Sequence, residues 1–534
     1  MRLFRKVAGL VSTEAVLVFP LVSWLGQAAA QPVAVIGRNF TAATLRVDSS
    51  AVPPDSEGAV GLSHYVEFIN GRFSVFNKSD GAQVKTMTDR VFWSQAGITL
   101  PSTWDVTDPR LIFDTSSQRW FASQVDFDTT GAINTNRFLL AISSSPDPTG
   151  SWNAVFIPSD PGGNLFADFP TLGMDAEAVY LSGDMFDASF NPVGPTLVSV
   201  PKSSLLTATP STTGMHWFGV LRYDVRGEIL QPVTCLDGSG KGTILATSSV
   251  GFDTNGNPVT NSSLVISRVK NPTGPQPALS ASSLITVGPY TVPPFPAQPD
   301  GSLNLDNGDA RFSAFVYEVG GVLYATHSSQ LGNLSVIRWY RIDEASQAVL
   351  ESGTISDPVN DLYYPSIAAN ATGTVVIAYN ASGPSTFPGS FAVVGITSNG
   401  VTTFGQPMLL KAGTASYQNL DSNSDNRWGD YSAVNVDPID PSRFWTIQEI
   451  ATGSSVWSTQ VTELLTGAPT LSFASAGNQL LLSWPGTPFI LQTASDLANP
   501  SWTPITVNLS TNNDVVTAQL PMNSLQAFFR LQAP

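Results

Sequence analysis

Six aspartates open similar short phrases along this chain: Asp55 in PDSEGAVGL, Asp108 in TDPRLIFDT, Asp168 in ADFPTLGMD, Asp309 in GDARFSAFV, Asp361 in DLYYPSIAAN and Asp430 in GDYSAVNVD. Gln231 holds the same place in the weakest copy, QPVTCLDGS. If each phrase is a strand and the strands meet at one end, the carboxylates converge there. Converging carboxylates suit a bound cation, the hydroxyls of a sugar, or paired acid and base work on a glycosidic bond. The competing expectation is local: each Asp caps the turn before its own strand. Arg311 and Arg427 lie within three residues of two of these acids, where they would anchor an acidic ligand or neutralise the ring.

A second candidate is the loop DSNSDNRWGDYS, in which Asp421, Asn423 and Asp425 follow the D-x-N-x-D spacing of calcium loops and Asp430 offers a further oxygen. A hard cation needs six to eight oxygens, which alternate residues of a tight loop can supply, so structural calcium is expected here. Asn426 stands where such loops carry Gly, and Ser432 where they carry a bidentate Glu. The alternative is a polar loop held by Asx-turns. Other chemistries find no support. The histidines are His64, His216 and His327, and no G-x-S-x-G, H-E-x-x-H or C-x-x-C spacing occurs, which argues against a serine triad or a zinc site. Cys235 is the sole cysteine and cannot close an internal disulfide.

These residues must be positioned by strands. Taking the six acids and Gln231 as markers, the phrases recur every 52 to 78 residues, the spacing of a propeller blade. Within a unit, apolar runs alternate with turn formers such as DTSSQ, NATG and EVGG, the pattern of an antiparallel meander. The predicted fold is all-β: a seven-bladed β-propeller over residues 31–466. Its ring is closed by VAVIGRNFTAATLRV as an outer strand, which would remove the open edges. After Leu465 the phrase stops, and residues 467–534 read as a small immunoglobulin-like β-sandwich with Trp484, Trp502 and Phe489 in its core.

Composition agrees with this. Charged residues make up 12%, Gly and Pro number 43 and 39, and mean hydropathy is +0.07. With 25 basic and 41 acidic side chains the net charge is −16, which repels phosphate backbones, so nucleic acid is not an expected partner. Residues 1–30 read as a signal peptide: MRLFRK, an apolar stretch from Val7 to Leu25, then QAAA as a cleavage site. Gly9 with Glu14 five residues on also fits a prepilin leader, although β sequence, not a long helix, follows. No later apolar run is long enough to span a bilayer as a helix.

The phrases PPDSEGAVGLSHYVEFINGRFSVFNKSDG, ADFPTLGMD and NRWGDYSAVNVDPIDPSRFW resemble those of an uncharacterised group of exported bacterial propeller proteins, distantly similar to sialidase-like and other glycosidase propellers. The tail, through LSW, LQTASDL and FFRL, resembles a C-terminal β domain of large exported proteins of Verrucomicrobia. What this implies is fold and export, to the cell surface or beyond. A sialidase-like site would further require an arginine cluster (Arg110, Arg311, Arg427), a Tyr (Tyr364 or Tyr431) and an Asp acid (Asp55 or Asp168). SPDPTGSW (residues 145–152) is a degenerate form of the Asp-box turn of those enzymes. Two functions follow: non-catalytic binding of an extracellular polysaccharide or cell-surface component, or, alternatively, glycoside hydrolysis at the propeller mouth.

Overall fold

The computed structural model describes residues 34–130, 136–249, 251–253, 257–467, 471–485, 489–497, 500–507, 509–512, 515–522 and 527–532. The leader expected over residues 1–30 lies outside them. The described residues are nearly all β, with 55% of them in strands and 4% in helices. It divides into two compact units, Arg38–Leu464 and a second made of Met1–Gly37 with Leu465–Pro534.

Among the described residues the large unit contains seven sheets, labelled I to VII in chain order. Sheet I runs Glu57–Val60, His64–Ile69, Arg72–Asn77, Gln83–Met87; sheet II runs Trp104–Asp114, Arg119–Asp128, Arg137–Ser143, Trp152–Pro158. Sheet III runs Phe166–Met174, Ala178–Phe186, Pro192–Pro201, His216–Val220. Sheet IV joins Gln231–Pro232, Thr243–Thr247 and Asn261–Lys270 to the edge strands Ala278–Leu279 and Ser283–Tyr290. Sheet V joins Thr234–Cys235, Tyr317–Val319, Val322–Leu331, Leu334–Asp343 and Val349–Ile355. Sheet VI contains Asp361–Ala369, Thr374–Gly383, Thr386–Ser398, Val401–Phe404 and Met408–Lys411. Sheet VII contains Ala433–Val436, Arg443–Gly453, Val456–Leu465 and, at its outer edge, the N-terminal strand Val35–Thr44. The first strand of I touches that of II, II that of III, and III those of both IV and V; Tyr317–Val319 of V touches the first strand of VI, which touches that of VII, and VII touches I. This circle of meanders is the plan of a β-propeller.

The core is a set of seams between neighbouring sheets. Phe68, Phe73, Phe92, Trp93 and Trp152 fill the seam of I and II; Phe121, Phe138, Leu172, Met174 and Leu181 fill that of II and III. In three of the repeated phrases the hairpin reverses where the last residue caps its own turn. Asp175 Oδ1 accepts from Glu177 N and Ala178 N, Asn370 Oδ1 from Thr372 N and Thr374 N, and Asp437 Oδ1 from Ile439 N. SPDPTGSW is likewise a turn, with Asp147 Oδ1 accepting from Thr149 N and Trp152 Nε1 donating to Pro148 O.

Two phrases depart from the expected strands. GDARFSAFV is not a strand; the ladder starts only at Tyr317. Asp306 and Asp309 turn their carboxylates onto Gly308 N and Arg311 N, and such local bonds compete with strand pairing. QPVTC splits between two sheets. Gln231–Pro232 pairs within IV, while Thr234–Cys235 runs parallel to Tyr317–Val319 and supplies V with the inner strand that 308–316 does not form.

In the second unit, one sheet orders Ser472–Ala476, Gln479–Pro485, Val515–Pro521 and Leu509–Asn512, and another Thr503–Pro504, Ile490–Ala494 and Phe528–Gln532. Trp484 is buried in its core and Phe489 packs there, whereas Trp502 lies under the Arg530 guanidinium, 4.5 Å from its ring centroid.

Candidate functional site

The inner strands of II, III and VI break register at their start, between Thr107 and Arg110, Asp168 and Thr171, and Tyr363 and Ser366. The residue inside each break is left-handed: Asp108 at φ 60°, Phe169 at 48°, Tyr364 at 44°, each followed by Pro. Asp55, at φ 51°, holds the equivalent place ahead of Glu57–Val60. A bulge re-aims a side chain, and non-glycine residues in this region cost roughly 1–3 kcal/mol each. All four line one cavity of about 450 Å³.

That cavity carries six carboxylates, from Asp55, Asp108, Asp168, Asp306, Asp309 and Asp430, and two guanidiniums, from Arg311 and Arg427. Six of the seven sheets or the loops leading into them contribute; only IV, with the divergent Gln231, does not. Seven of the eight mouth residues read from sequence are therefore together. Asp361 is not among them: its carboxylate accepts from Ala297 N (2.9 Å) in a loop and from Ser335 N (2.8 Å) in a strand of sheet V. Gln231 turns inward and donates to Leu172 O. Sequence reasoning missed Asp306, Asn70 and Phe169. The first sits in LDNGDAR beside a marker, but Asn70 reads only as the residue before a hairpin glycine.

Asp309 caps locally, accepting from Arg311 N as the local expectation held, whereas Asp55, Asp108 and Asp361 do not cap their own strands and tie one sheet to the next. Asp55 Oδ1 accepts from Asp430 N (3.1 Å) and Asp55 Oδ2 from Asn70 Nδ2 (2.9 Å). Asn70 Oδ1 in turn accepts from Asp108 N (2.9 Å), and Asp108 Oδ2 accepts from Phe169 N (3.1 Å). Burial first, then the neighbouring Asp430 and Asp108, pushes the Asp55 carboxyl well up. Burial, then Asp168 and Asp430, raises Asp108 to about 7. Asp168 is raised as well, by burial first and with Asp430 adding to it, but its side chain is the exposed one of the three where it lines the cavity. Asp309 holds Arg311 in a fork (2.8 and 2.6 Å), and Arg427 spans Asp306 (3.0 Å) and Asp430 (3.3 Å). Tyr364 donates its hydroxyl to Asp430 Oδ1 (3.2 Å).

Arg110 is not in the cavity, so the three-arginine cluster implied by the resemblance is not assembled. Fully buried, it stacks 3.5 Å from the Tyr431 ring centroid and 5.4 Å from that of Phe169, and donates to Pro170 O and Ser313 O. Tyr431 is buried with it. In the 421–430 loop, Asp421 Oδ1 accepts from Asn423 N and Asp425 N, an Asx-turn, while Asp430 faces Arg427 and the cavity. The carboxylates of Asp421, Asp425 and Asp430 therefore do not gather into one shell. Among the described residues the group with metal-binding spacing is Cys235, Asp237 and Glu318.

No family model matches the chain, and no curated protein matches it. Solved structures do. A thermostable family-43 glycoside hydrolase is 12% identical, with 73% of this chain and 96% of that one covered at a TM-score of 0.28. The Dos1 propeller is 9% identical, with 76% of each chain covered and a TM-score of 0.35. A mutant of Trypanosoma rangeli sialidase displaying trans-sialidase activity is 12% identical over 92% of this chain and 59% of that one, at a TM-score of 0.29.

Proposed function

We propose that the chain is an exported seven-bladed β-propeller, each of the seven sheets one blade, with an appended immunoglobulin-like β-sandwich. Its role in this reading is to bind an extracellular polysaccharide or cell-surface component, without catalysis, through the acid-lined cavity. One observation carries the choice of binding over hydrolysis: the buried carboxylates are already engaged. Glycoside hydrolysis asks for two carboxyls free to face the scissile bond, one protonated and one not. Asp108, raised to about 7, has the proton affinity for such an acid. Yet it gives one oxygen to Phe169 N and the other to the Thr107 hydroxyl (2.8 Å), and Asp55 is spanned by Asp430 N and Asn70. What faces solvent is Asp168 together with the two paired guanidiniums, a set that can accept from and donate to hydroxyls.

Incubating the purified protein with a panel of polysaccharides, and scoring both retention and new reducing ends, tests this. The expected result is retention of at least one polymer, weakened by Asp168→Asn, without reducing ends. Release of reducing ends that Asp168→Asn abolishes would establish the glycoside hydrolase alternative instead.

A further inference from the structure

On the first two strands of sheet III, Asp168 pairs with Asp184, and two residues further out Phe166 pairs with Phe186. Residues two apart on a strand share a face and lie about 7 Å apart along it, so the aromatic pair stands on the same face as the acid that opens into the cavity. The Phe166 and Phe186 rings stack at 5.5 Å, and Phe190 meets Phe166 edge-on at 5.5 Å. Phe190 is 66% exposed and sits at φ 61°, a conformation and a degree of exposure that suit Asn or Gly far better than a large apolar ring. The turn that carries it is nonetheless fixed. Asp187 Oδ1 accepts from Ser189 N (2.8 Å) and Asn191 N (3.0 Å), and Phe190 N donates to Asp187 O (3.0 Å). A rigid turn that spends its exposed position on a phenyl ring gains little from it in folding.

We infer that Phe190 and Phe166 form a shelf on which a sugar ring of a neutral or amino-substituted glycan stacks, with its hydroxyls directed to Asp168. The inference rests on the binding role proposed above and names its ligand class and position. A pyranose has an apolar C–H face and a rim of hydroxyls, which matches aromatic rings beside a carboxylate. Charge selects among glycans. Setting aside the buried and engaged Asp55 and Asp108, four carboxylates against two guanidiniums line the adjoining cavity, so uronate and sulfate groups are repelled while neutral rings and ammonium groups are admitted.

The test is calorimetric titration of the full chain with cello-, xylo-, manno- and galacto-oligosaccharides, chitosan hexamer and oligogalacturonate. One of the neutral or amino-sugar probes is expected to bind. Phe190→Ala should weaken it at least ten-fold with an unchanged melting temperature, Phe190→Trp should retain it, and Asp168→Asn should weaken it. If Asp168→Asn weakens binding and Phe190→Ala does not, the cavity role stands and the shelf is overturned. Binding unaffected by either change overturns both, and a preference for oligogalacturonate overturns the assignment of ligand class. If no probe binds and Phe190→Ala abolishes a concentration-dependent dimer, the rings pack against a second copy of the chain and the sugar shelf is overturned.

Discussion

At the residue scale, the repeated phrase has two polar ends with different duties. In three copies the last residue, Asp175, Asn370 or Asp437, caps a hairpin within the same sheet, whereas Asp55, Asp108 and Asp361, at the head of their phrases, reach across to a neighbouring sheet. Asp55, Asn70, Asp108 and the amides of Asp430 and Phe169 make one such chain of links through sheets VII, I, II and III. Arg110 pins the bulge in the first strand of III and the loop before Tyr317 of V through Pro170 O and Ser313 O, with Glu57 3.8 Å away. Removing one side of a buried charged cluster leaves the remainder unpaired, so Arg110→Ala should cost about 3–5 kcal/mol. Urea denaturation measures this directly; a loss below about 1 kcal/mol would show that the stacked guanidinium is dispensable.

At the scale of elements, sheets III and IV approach so closely that a side chain is excluded between them. A Cβ on Gly173 would stand 2.3 Å from Pro232 O and 2.6 Å from Pro232 C, backbone atoms that cannot swing aside as a flexible side chain would. Gly173→Ala should therefore cost about 3 kcal/mol, at the upper end of overpacking penalties. A melting temperature within a degree of the parent would mean that the two strands separate freely. The 421–430 loop gives a contrasting case. Asp421→Ala removes the acceptor of two backbone N–H groups and should cost about 1 kcal/mol. With Asp430 committed to Arg427, that loss is expected to be equal in excess chelator and in millimolar calcium. A melting temperature that calcium raises in the parent but not in Asp421→Ala would instead establish the calcium loop read from the D-x-N-x-D spacing.

At the scale of the whole molecule, burying acids around the ring fixes how stability varies with pH. Burial is the leading cause that holds Glu57 at about 8, Glu67, Asp108 and Asp184 at about 7, and Asp89 at about 6. Carboxyls in the unfolded chain titrate near 4. Between about pH 4 and 8 the folded state therefore holds more protons than the unfolded one, and stability falls as pH rises through that window. His327 works the other way. Packed between Tyr290, Phe312 and Tyr340, it is held by burial at about 3, so stability drops as pH falls below about 6.5. These five acids outweigh His327 and the half-buried His64, which burial also lowers, and the melting temperature by calorimetry should be higher at pH 5 than at pH 8. Equal or greater stability at pH 8 would mean that these acids are ionised in the folded protein.

The sequence by itself determined the β class, the hairpin rhythm, the place where the phrase stops after Leu465 and seven of the eight acids and arginines at one mouth. These are legible because alternation, turn residues and a repeated phrase are local properties, and identical units stacked in a circle bring identical positions together. Tertiary structure alone decided what those side chains do there. Asp361 follows the phrase yet is absent from the cavity, because its carboxylate is taken up by the amides of Ala297 in a loop and Ser335 in a strand of sheet V. Asp306 and Asn70 enter the site from loops that no repeat marks. Arg110 leaves it, since Tyr431 and Phe169 offer their faces below the cavity floor. Partners from sequence-distant sheets set each of these outcomes, and no local pattern encodes which sheet will be the neighbour.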